Sequence, residues 1–413
     1  MFKAIRGVKD ILPEDAYSWQ EIEDIARHIF SIYGYQQIRT PIIEEIGLFN
    51  RSLGSSSEII QKQMFEIKRQ DETLVLRPEA TASVVRSYVE NNLDKKIGFA
   101  KFYYIGPMFR AERPQKGRLR QFHHIGVEAV GSLSPYLDVE VIGLAAQLLA
   151  EFGAKDFEII LNSLGCRNDK KKFSDILKAK LKNKLSDLCD ECKERFKRNI
   201  FRILDCKNSA CREVIKGLNL GSDYLCEDCR AHFLKVTKGM DNLGIDYKVS
   251  AHLVRGLDYY TRTVFEITHK GLGSQDAIGA GGRYDNLVKE LGGPDLGAIG
   301  FAFGVERILL VSSLQSPVSS RNKLVYIITL GDEAKEKGIK LLDNLRKNGI
   351  QADTDYVGKS LKGAMRNADS LGARFVLIIG EDELKKNVVT LKDMILGGQK
   401  EIKPLDLIKE LKC

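Results

Sequence analysis

Residues 17–33 place Ile22, Ile25, Ile29 and Ile32 at three- and four-residue intervals, and Gly34 follows. Apolar positions at that spacing share one face of an α-helix, and a glycine just beyond them is a common stop. Residues 36–43 then read as a strand with Pro41 near its end, where an edge or a turn tolerates the missing N–H. Two β-rich stretches, 98–110 and 121–130, flank the basic loop AERPQKGRLR and predict a long-looped antiparallel pair. A helix is expected over roughly 136–152.

The pattern changes at 166–240, which combines a lysine-rich helical pattern with paired cysteines and few strand signals, and β-rich sequence resumes at 247–250 and 261–268. This reads as an insertion within a larger domain made of 1–165 and 241–315. The stretch SSLQSPVSSRN (312–322) has linker composition. Beyond it, apolar strands at 324–330, 374–379 and 388–391 alternate with helical patterns at 332–347 and 360–371. That alternation predicts a separate small α/β domain over 323–413, its strands covered on both faces.

Composition sharpens this outline. A chain of 413 residues exceeds what one core usually supports, so two or three domains are expected. No run of eighteen apolar residues occurs, and the start MFKAIRGVKDILPED has no signal-peptide core, which points to a cytosolic, non-membrane protein. Eight cysteines are too few for a disulfide scaffold, yet six lie between Cys189 and Cys229. Residues 166–240 carry 19 Lys and Arg against 11 Asp and Glu, an excess equal to the whole chain's +8. A polyanionic partner for that segment is the expectation.

Alternation along 121–130 puts Phe122, His124, Gly126 and Glu128 on one side, a plausible pocket floor. Arg110 ends the partner strand, and Arg113, Lys116, Arg118 and Arg120 follow in the loop. Guanidinium forks match phosphate oxygens in pairs, although a solvated hairpin tip would look the same. HLVRGLDYYTRT (252–263) offers Arg255, Asp258, Tyr259 and Tyr260, while a buried tyrosine pair is more often simply core. In GAGGRYDNL (279–287) the glycines at 279, 281 and 282 admit a ligand close to the backbone or mark a turn. GFAFGVERILL (300–310) reads as a strand entering a helix, with Arg307 in its first turns. The cysteines fall as Cys189-x2-Cys192, Cys206-x4-Cys211 and Cys226-x2-Cys229, with His232 close behind. Two CxxC pairs suggest one structural zinc ion on Cys189, Cys192, Cys226 and Cys229; the long gap between them leaves reduced buried cysteines as the alternative.

Together and in this order, these segments resemble the class II histidyl-tRNA synthetases. The three general motifs are YGYQQIRTP (33–41), KFYYIGPMFRAERPQKGRLRQFHHIGVE (101–128) and GFAFGVER (300–307). The histidine-specific pair is LVRGLDYY (253–260) and AGGRYD (280–285), with RPEATAS (77–83) as the amino-group segment and RGVKDILP (6–13) as the amino-terminal signature. The resemblance implies an α+β catalytic domain on an antiparallel sheet, an inserted helical domain and a carboxy-terminal α/β anticodon-binding domain. It implies a homodimer with the first motif, around Pro41, at the subunit interface. The activity implied is activation of histidine with ATP and Mg²⁺, then transfer to the 3'-terminal ribose of its tRNA.

By the same resemblance Arg110 holds the α-phosphate and Arg118 the γ-phosphate, Phe122 and Arg307 sandwich adenine, and Glu112 contacts its edge. Glu79 and Thr81 receive the α-ammonium of histidine, Glu128 and Tyr260 grip the imidazole nitrogens, and Tyr259 and Tyr284 complete the pocket. Arg255 bridges the substrate carboxylate and the α-phosphate, so Arg110 and Arg255 are the expected catalytic cations. Two positions depart from the family pattern. Residue 80 is Ala where Gly is usual, a change that matters only if the backbone there needs a positive φ. His124 stands where Gln is usual, at the contact facing the substrate carboxylate. The competing reading is a non-catalytic, histidine-binding regulatory paralogue; such proteins lack the anticodon domain and tend to lose the ATP-binding arginines, and this chain has both.

Overall fold

The structure, a computed structural model, describes residues 2–54, 57–273, 276–314 and 324–412. The chain divides into two compact units, Met1–Leu314 and Gln315–Cys413. The first is built on an eight-stranded sheet ordered Gln36–Gln37, Ala100–Phe109, Gln121–Val130, Ala298–Gly304, Ala277–Arg283, Thr261–His269, Phe157–Ser163, Lys248–Val249. The six central strands are antiparallel to their neighbours, and the two short edge strands are parallel to theirs. Ala100–Phe109 and Gln121–Val130 pair over all ten residues, with the basic loop between them, as their patterning predicts.

One face of this sheet is covered by the helices Pro13–Ile32 and Pro135–Glu151. Ser134 caps the second of these by accepting the N–H of Tyr136. The first buries Ile22, Ala26, Ile29 and Phe30, whereas Ile32 is 62% exposed. At about 100° per residue Ala26, Ile29 and Phe30 lie between roughly −20° and +80° of Ile22, whereas Ile32 lies near −80°, beyond the other edge of the buried stripe. Phe30, which the isoleucine spacing passed over, takes its place.

Residues 36–43 do not form one strand. Gln36–Gln37 joins the large sheet beside Phe102 and Tyr103, whereas Ile43–Glu45 pairs with Leu74–Leu76 in a separate three-stranded sheet. Pro41 sits at the bend between them, and Arg77 holds the bend by donating to the carbonyls of Thr40 and Pro41 at 3.0 and 3.4 Å. The glycines at 279, 281 and 282 lie inside the strand Ala277–Arg283 and not in a turn. A Cβ on Gly281 would come within 2.4 Å of the Gly300 carbonyl, so close strand packing explains them.

The segment 166–240 contains helices and no described strand, and its buried Phe173, Leu177 and Leu181 share one core with Phe49, Val75 and Tyr260. It is chemically distinct yet packed as part of the first unit.

In the second unit Ala352–Thr354, Val325–Thr329 and Phe375–Ile379 run parallel, and Val389–Asp393 and Gln399–Ile402 continue the sheet antiparallel. Val325 and Ile327 enter one core while Tyr326 and Ile328 enter another, so both faces are covered. Most of the expected linker, from residue 315 onward, lies outside the described residues.

Candidate active site

The opposite face of the large sheet carries a cavity of about 250 Å³, and every side chain given a nucleotide or histidine role by resemblance lines it. Arg113, Lys116 and Arg120 do not. Arg120 instead donates to the Glu112 carbonyl at 3.1 Å, bracing the loop.

At one end the Glu128 carboxyl is 1% exposed. It accepts hydrogen bonds from Thr81 Oγ1 at 2.7 Å, from Tyr104 Oη at 3.4 Å and from the Tyr284 hydroxyl. Burial pushes its pKa up to about 8, against the lowering effect of these donors. Glycines make this arrangement possible. A Cβ on Gly300 would lie 1.9 Å from Glu128 Oε2, and one on Gly126 would lie 2.5 Å from Tyr104 Oη.

Glu79, also buried, accepts the backbone N–H groups of Thr81 and Ala82 at 2.7 and 3.0 Å. It thereby satisfies free donors at the start of the helix Thr81–Glu90. Burial raises its pKa as well. Ala80 has φ −106°, so alanine fits there without strain. The rings of Tyr259, Tyr260 and Tyr284 wall this end, Tyr259 lying 4.7 Å from Tyr260 and 5.7 Å from Tyr284.

The other end is cationic. Arg110 donates to the Pro78 carbonyl at 3.0 Å and lies over the Phe122 ring at 5.3 Å. Arg118 pairs with Glu112, and Arg307 donates to the carbonyls of Gly117, at 2.9 Å, and Ala277. Burial, and then the other guanidinium groups, lower the pKa values of Arg110 and Arg307. A buried site crowded with positive charge is poised to take an anion. Arg255 reaches the cavity from its own loop and pairs with Glu266 on the strand Thr261–His269.

His124 stands between the two ends. Burial and the nearby Arg110 and Arg307 hold its pKa well below the ordinary imidazole value, so the ring is neutral. It packs edge-on against Phe122 at 5.0 Å, and its buried Nδ1 has no protein hydrogen-bond partner among the described residues.

Three contributors were not singled out from sequence. Tyr104 faces Gly126 across the strand pair, and the missing side chain at 126 is the signal that a neighbour fills that space. Glu266 is visible only as the partner of Arg255. Lys170, from the helix Arg167–Leu181, donates to the carbonyls of Asp258 and Tyr260 at 2.9 and 3.0 Å and so fixes the Tyr259 segment. Nothing in local sequence pairs residues 88 and 90 positions apart.

The cysteines group differently from the expected zinc set. Cys189 and Cys192 converge with Cys206 and Cys211, whereas Cys226 and Cys229 converge with Cys166 and Asp169. Each CxxC pair opens its own helix, Asp190–Arg198 or Glu227–Asn242, and the two helix starts face different neighbours. His232 joins neither group: its Nε2 meets Asp138 at 2.8 Å and its Nδ1 meets Arg262 at 3.3 Å.

Residues 7–308 match the family described as histidyl-tRNA synthetase, and residues 324–413 match the anticodon binding domain. A histidine–tRNA ligase of Halothermothrix orenii is 46% identical over 413 residues, covering 99% of this chain and 98% of the relative. One from Thermodesulfovibrio yellowstonii is 44% identical, covering 99% and 97%. The apo histidyl-tRNA synthetase of Staphylococcus aureus superposes with a TM-score of 0.82 at 35% identity, with both chains fully covered. The sheet, its pocket and the separate second unit define a class II aminoacyl-tRNA synthetase. Within that class the chain belongs to the histidyl-tRNA synthetase family.

Proposed function

We propose that this protein activates histidine with ATP, forming histidyl-adenylate and pyrophosphate, and transfers the histidyl group to the 3'-terminal ribose of its tRNA. The observation that carries this reading is one cavity with a buried polar end around Glu128 and a guanidinium-crowded end around Arg110. The polar end suits an imidazole, because a side chain unable to hydrogen-bond would strand Glu128 and its tyrosines. The cationic end suits the triphosphate. Arg110 and Arg255 both line the cavity, and in this reading they stabilise charge that develops as the histidine carboxylate attacks the α-phosphate. By the same reading Arg118, which pairs with Glu112 here, holds the γ-phosphate, and Glu112 contacts the adenine edge. Phe122 and Arg307 form the adenine slot, Thr81 and Glu79 receive the ammonium group, and neutral His124 donates toward the substrate carboxylate. Mg²⁺, carried mainly by the phosphates, neutralises the leaving pyrophosphate.

In this reading 1–165 and 241–315 form the catalytic domain, 166–240 an insertion that touches the tRNA backbone, and 323–413 the anticodon-binding domain. A homodimer fits the exposed Ile42, Ile43 and Ile67 beside the first motif, an apolar patch that a second copy would cover. The tRNA substrate makes the cytosol the expected compartment. A structural zinc ion in the insertion completes the reading. The regulatory alternative is not favoured, since relatives matched over their full length are named as ligases. ATP–pyrophosphate exchange against all twenty amino acids tests the proposal: histidine alone should support it, and exchange with another amino acid, or with none, overturns it.

A further inference from the structure

We propose that Cys189, Cys192, Cys206 and Cys211 hold the one structural zinc ion of the segment 166–240, while the neighbouring group of Cys166, Asp169, Cys226 and Cys229 stays metal-free. This deepens the zinc reading and is independent of the aminoacylation chemistry.

In the first group all four sulfurs lie within 4.8 Å of one another, and Cys189 Sγ is 3.9 Å from Cys206 Sγ. All four are free thiols, and the 3.9 Å between Cys189 and Cys206 is far beyond a disulfide bond. A tetrahedral zinc with bonds of about 2.3 Å sets its sulfurs roughly 3.8 Å apart, so the thiols already stand near the vertices of such a site. That spacing leaves no room for the inorganic sulfide of an iron–sulfur cluster. Cys192 and Cys211 are fully buried and Cys206 is 6% exposed. Four thiols facing one another are weak hydrogen-bond donors and acceptors, but as thiolates they form a soft donor set suited to zinc.

Three of the four sulfurs belong to residues at helix starts. Cys189 and Cys192 stand at the cap and third positions of the helix Asp190–Arg198, and Cys211 at the third position of Ser209–Lys216. Helix starts leave free N–H groups that can donate to metal-bound sulfurs. The Cys189 N–H donates to Cys211 Sγ at 3.2 Å, the kind of bond that spreads charge from a metal-bound sulfur. Four thiolates and one Zn²⁺ leave a charge of −2, placed in the segment that holds the chain's entire basic excess. The elements joined here are short, two helices of nine and eight residues with 3₁₀ turns at Lys182–Asp187 and Ile200–Ile203. Helices of this length are marginal in isolation, so a metal cross-link would add to the packing that holds them.

The second group is satisfied without metal. Asp169 accepts the N–H groups of Cys166 and Cys226 at 3.2 and 3.0 Å, tying two helix starts together. The thiols of Cys226 and Cys229 also hydrogen-bond to its carboxylate. Zinc there would displace those thiol protons and compete with both backbone bonds.

The full-length reduced protein, prepared with zinc and without chelator, should contain about one zinc per chain. X-ray absorption at the zinc edge should report four sulfur neighbours. Cys206→Ser and Cys211→Ser should reduce the zinc content several-fold, whereas Cys226→Ser and Cys229→Ser should retain it. Absence of zinc, two zinc ions per chain, a mixed sulfur and oxygen shell, or loss confined to the Cys226 and Cys229 variants would each overturn the assignment. The absorption measurement uses the unsubstituted protein, so it decides the matter even if a cysteine variant fails to fold. Pyrophosphate exchange bears only on the aminoacylation reading.

Discussion

Thr81 donates a 2.7 Å hydrogen bond to Glu128 across 47 residues, joining the start of a helix to the floor of the cavity. The acceptor is a carboxyl whose pKa burial raises from 4.5 to about 8. The folded protein therefore holds a proton there that the unfolded chain releases above its ordinary carboxylate pKa, so Glu128 makes stability fall as pH rises from about 4.5 to about 8. Glu128→Gln removes this dependence. The variant should match the parent near pH 4.5 and be more stable by a few kcal/mol near pH 8, from about 1.4 kcal/mol per pH unit. Denaturant unfolding at the two pH values measures this, and an equal difference at both would mean Glu128 is ionised in the free protein.

The same proton predicts how histidine binding depends on pH. Beyond the N–H that neutral imidazole always keeps, the ring and a protonated Glu128 have one titrating proton between them, which the pair shares in the complex. Below about pH 6.5 free histidine must shed a proton to enter, and above about pH 8 the free pocket must regain one. Affinity measured calorimetrically should peak between these limits. A flat profile from pH 6 to 8.5 would contradict the shared proton.

Arg110 and Arg255 reach the cavity from different elements and are held before substrate arrives, Arg110 by the Pro78 carbonyl and Arg255 by Glu266. Replacing either with Ala should lower histidine activation by roughly 10²- to 10³-fold, the usual scale for losing a preorganised charge donor. Pyrophosphate exchange under saturating substrates gives the comparison, and near-normal rates would remove that arginine from the reaction.

Because His124 is already neutral, its contribution to histidine activation should not vary between pH 6 and 9. His124→Gln restores an amide donor and should keep activity within about tenfold, or roughly 1.4 kcal/mol. His124→Ala should lose more, leaving the carboxylate short of a donor. If Ala equals the parent throughout that range, the ring only packs against Phe122.

Lys171 and Lys178, near the start and end of the helix Arg167–Leu181, and Lys182 just beyond it are exposed at helical spacing. Changing all three to Ala should weaken tRNA binding and flatten its salt dependence by about one unit of slope for each phosphate no longer neutralised. Histidine activation should be unaffected. Binding measured from low to moderate salt tests this, and an unchanged slope would place the tRNA elsewhere. Point substitutions serve better than removing the segment, because Phe173 and Leu177 belong to the core beneath the cavity.

The sequence by itself determined whatever depends on neighbours within a few residues. Strand alternation put Phe122, His124 and Glu128 on one face, and the pattern of 323–413 announced a sheet covered on both sides. What came only with the tertiary structure were pairings across long separations: Tyr104 filling the space at Gly126, Lys170 holding the Tyr259 segment, and Glu266 holding Arg255. Pro41 shows the limit from the other side, since a strand-like stretch with a proline does not say that the chain changes sheets there. The cysteines show it most plainly. Spacing recognised two CxxC pairs, but each pair caps its own helix, and only the packing of those helices decided that Cys189 and Cys192 meet Cys206 and Cys211 instead of Cys226 and Cys229. Sequence distance constrains which groups can share a local turn; which turns share a ligand is decided by how the helices pack.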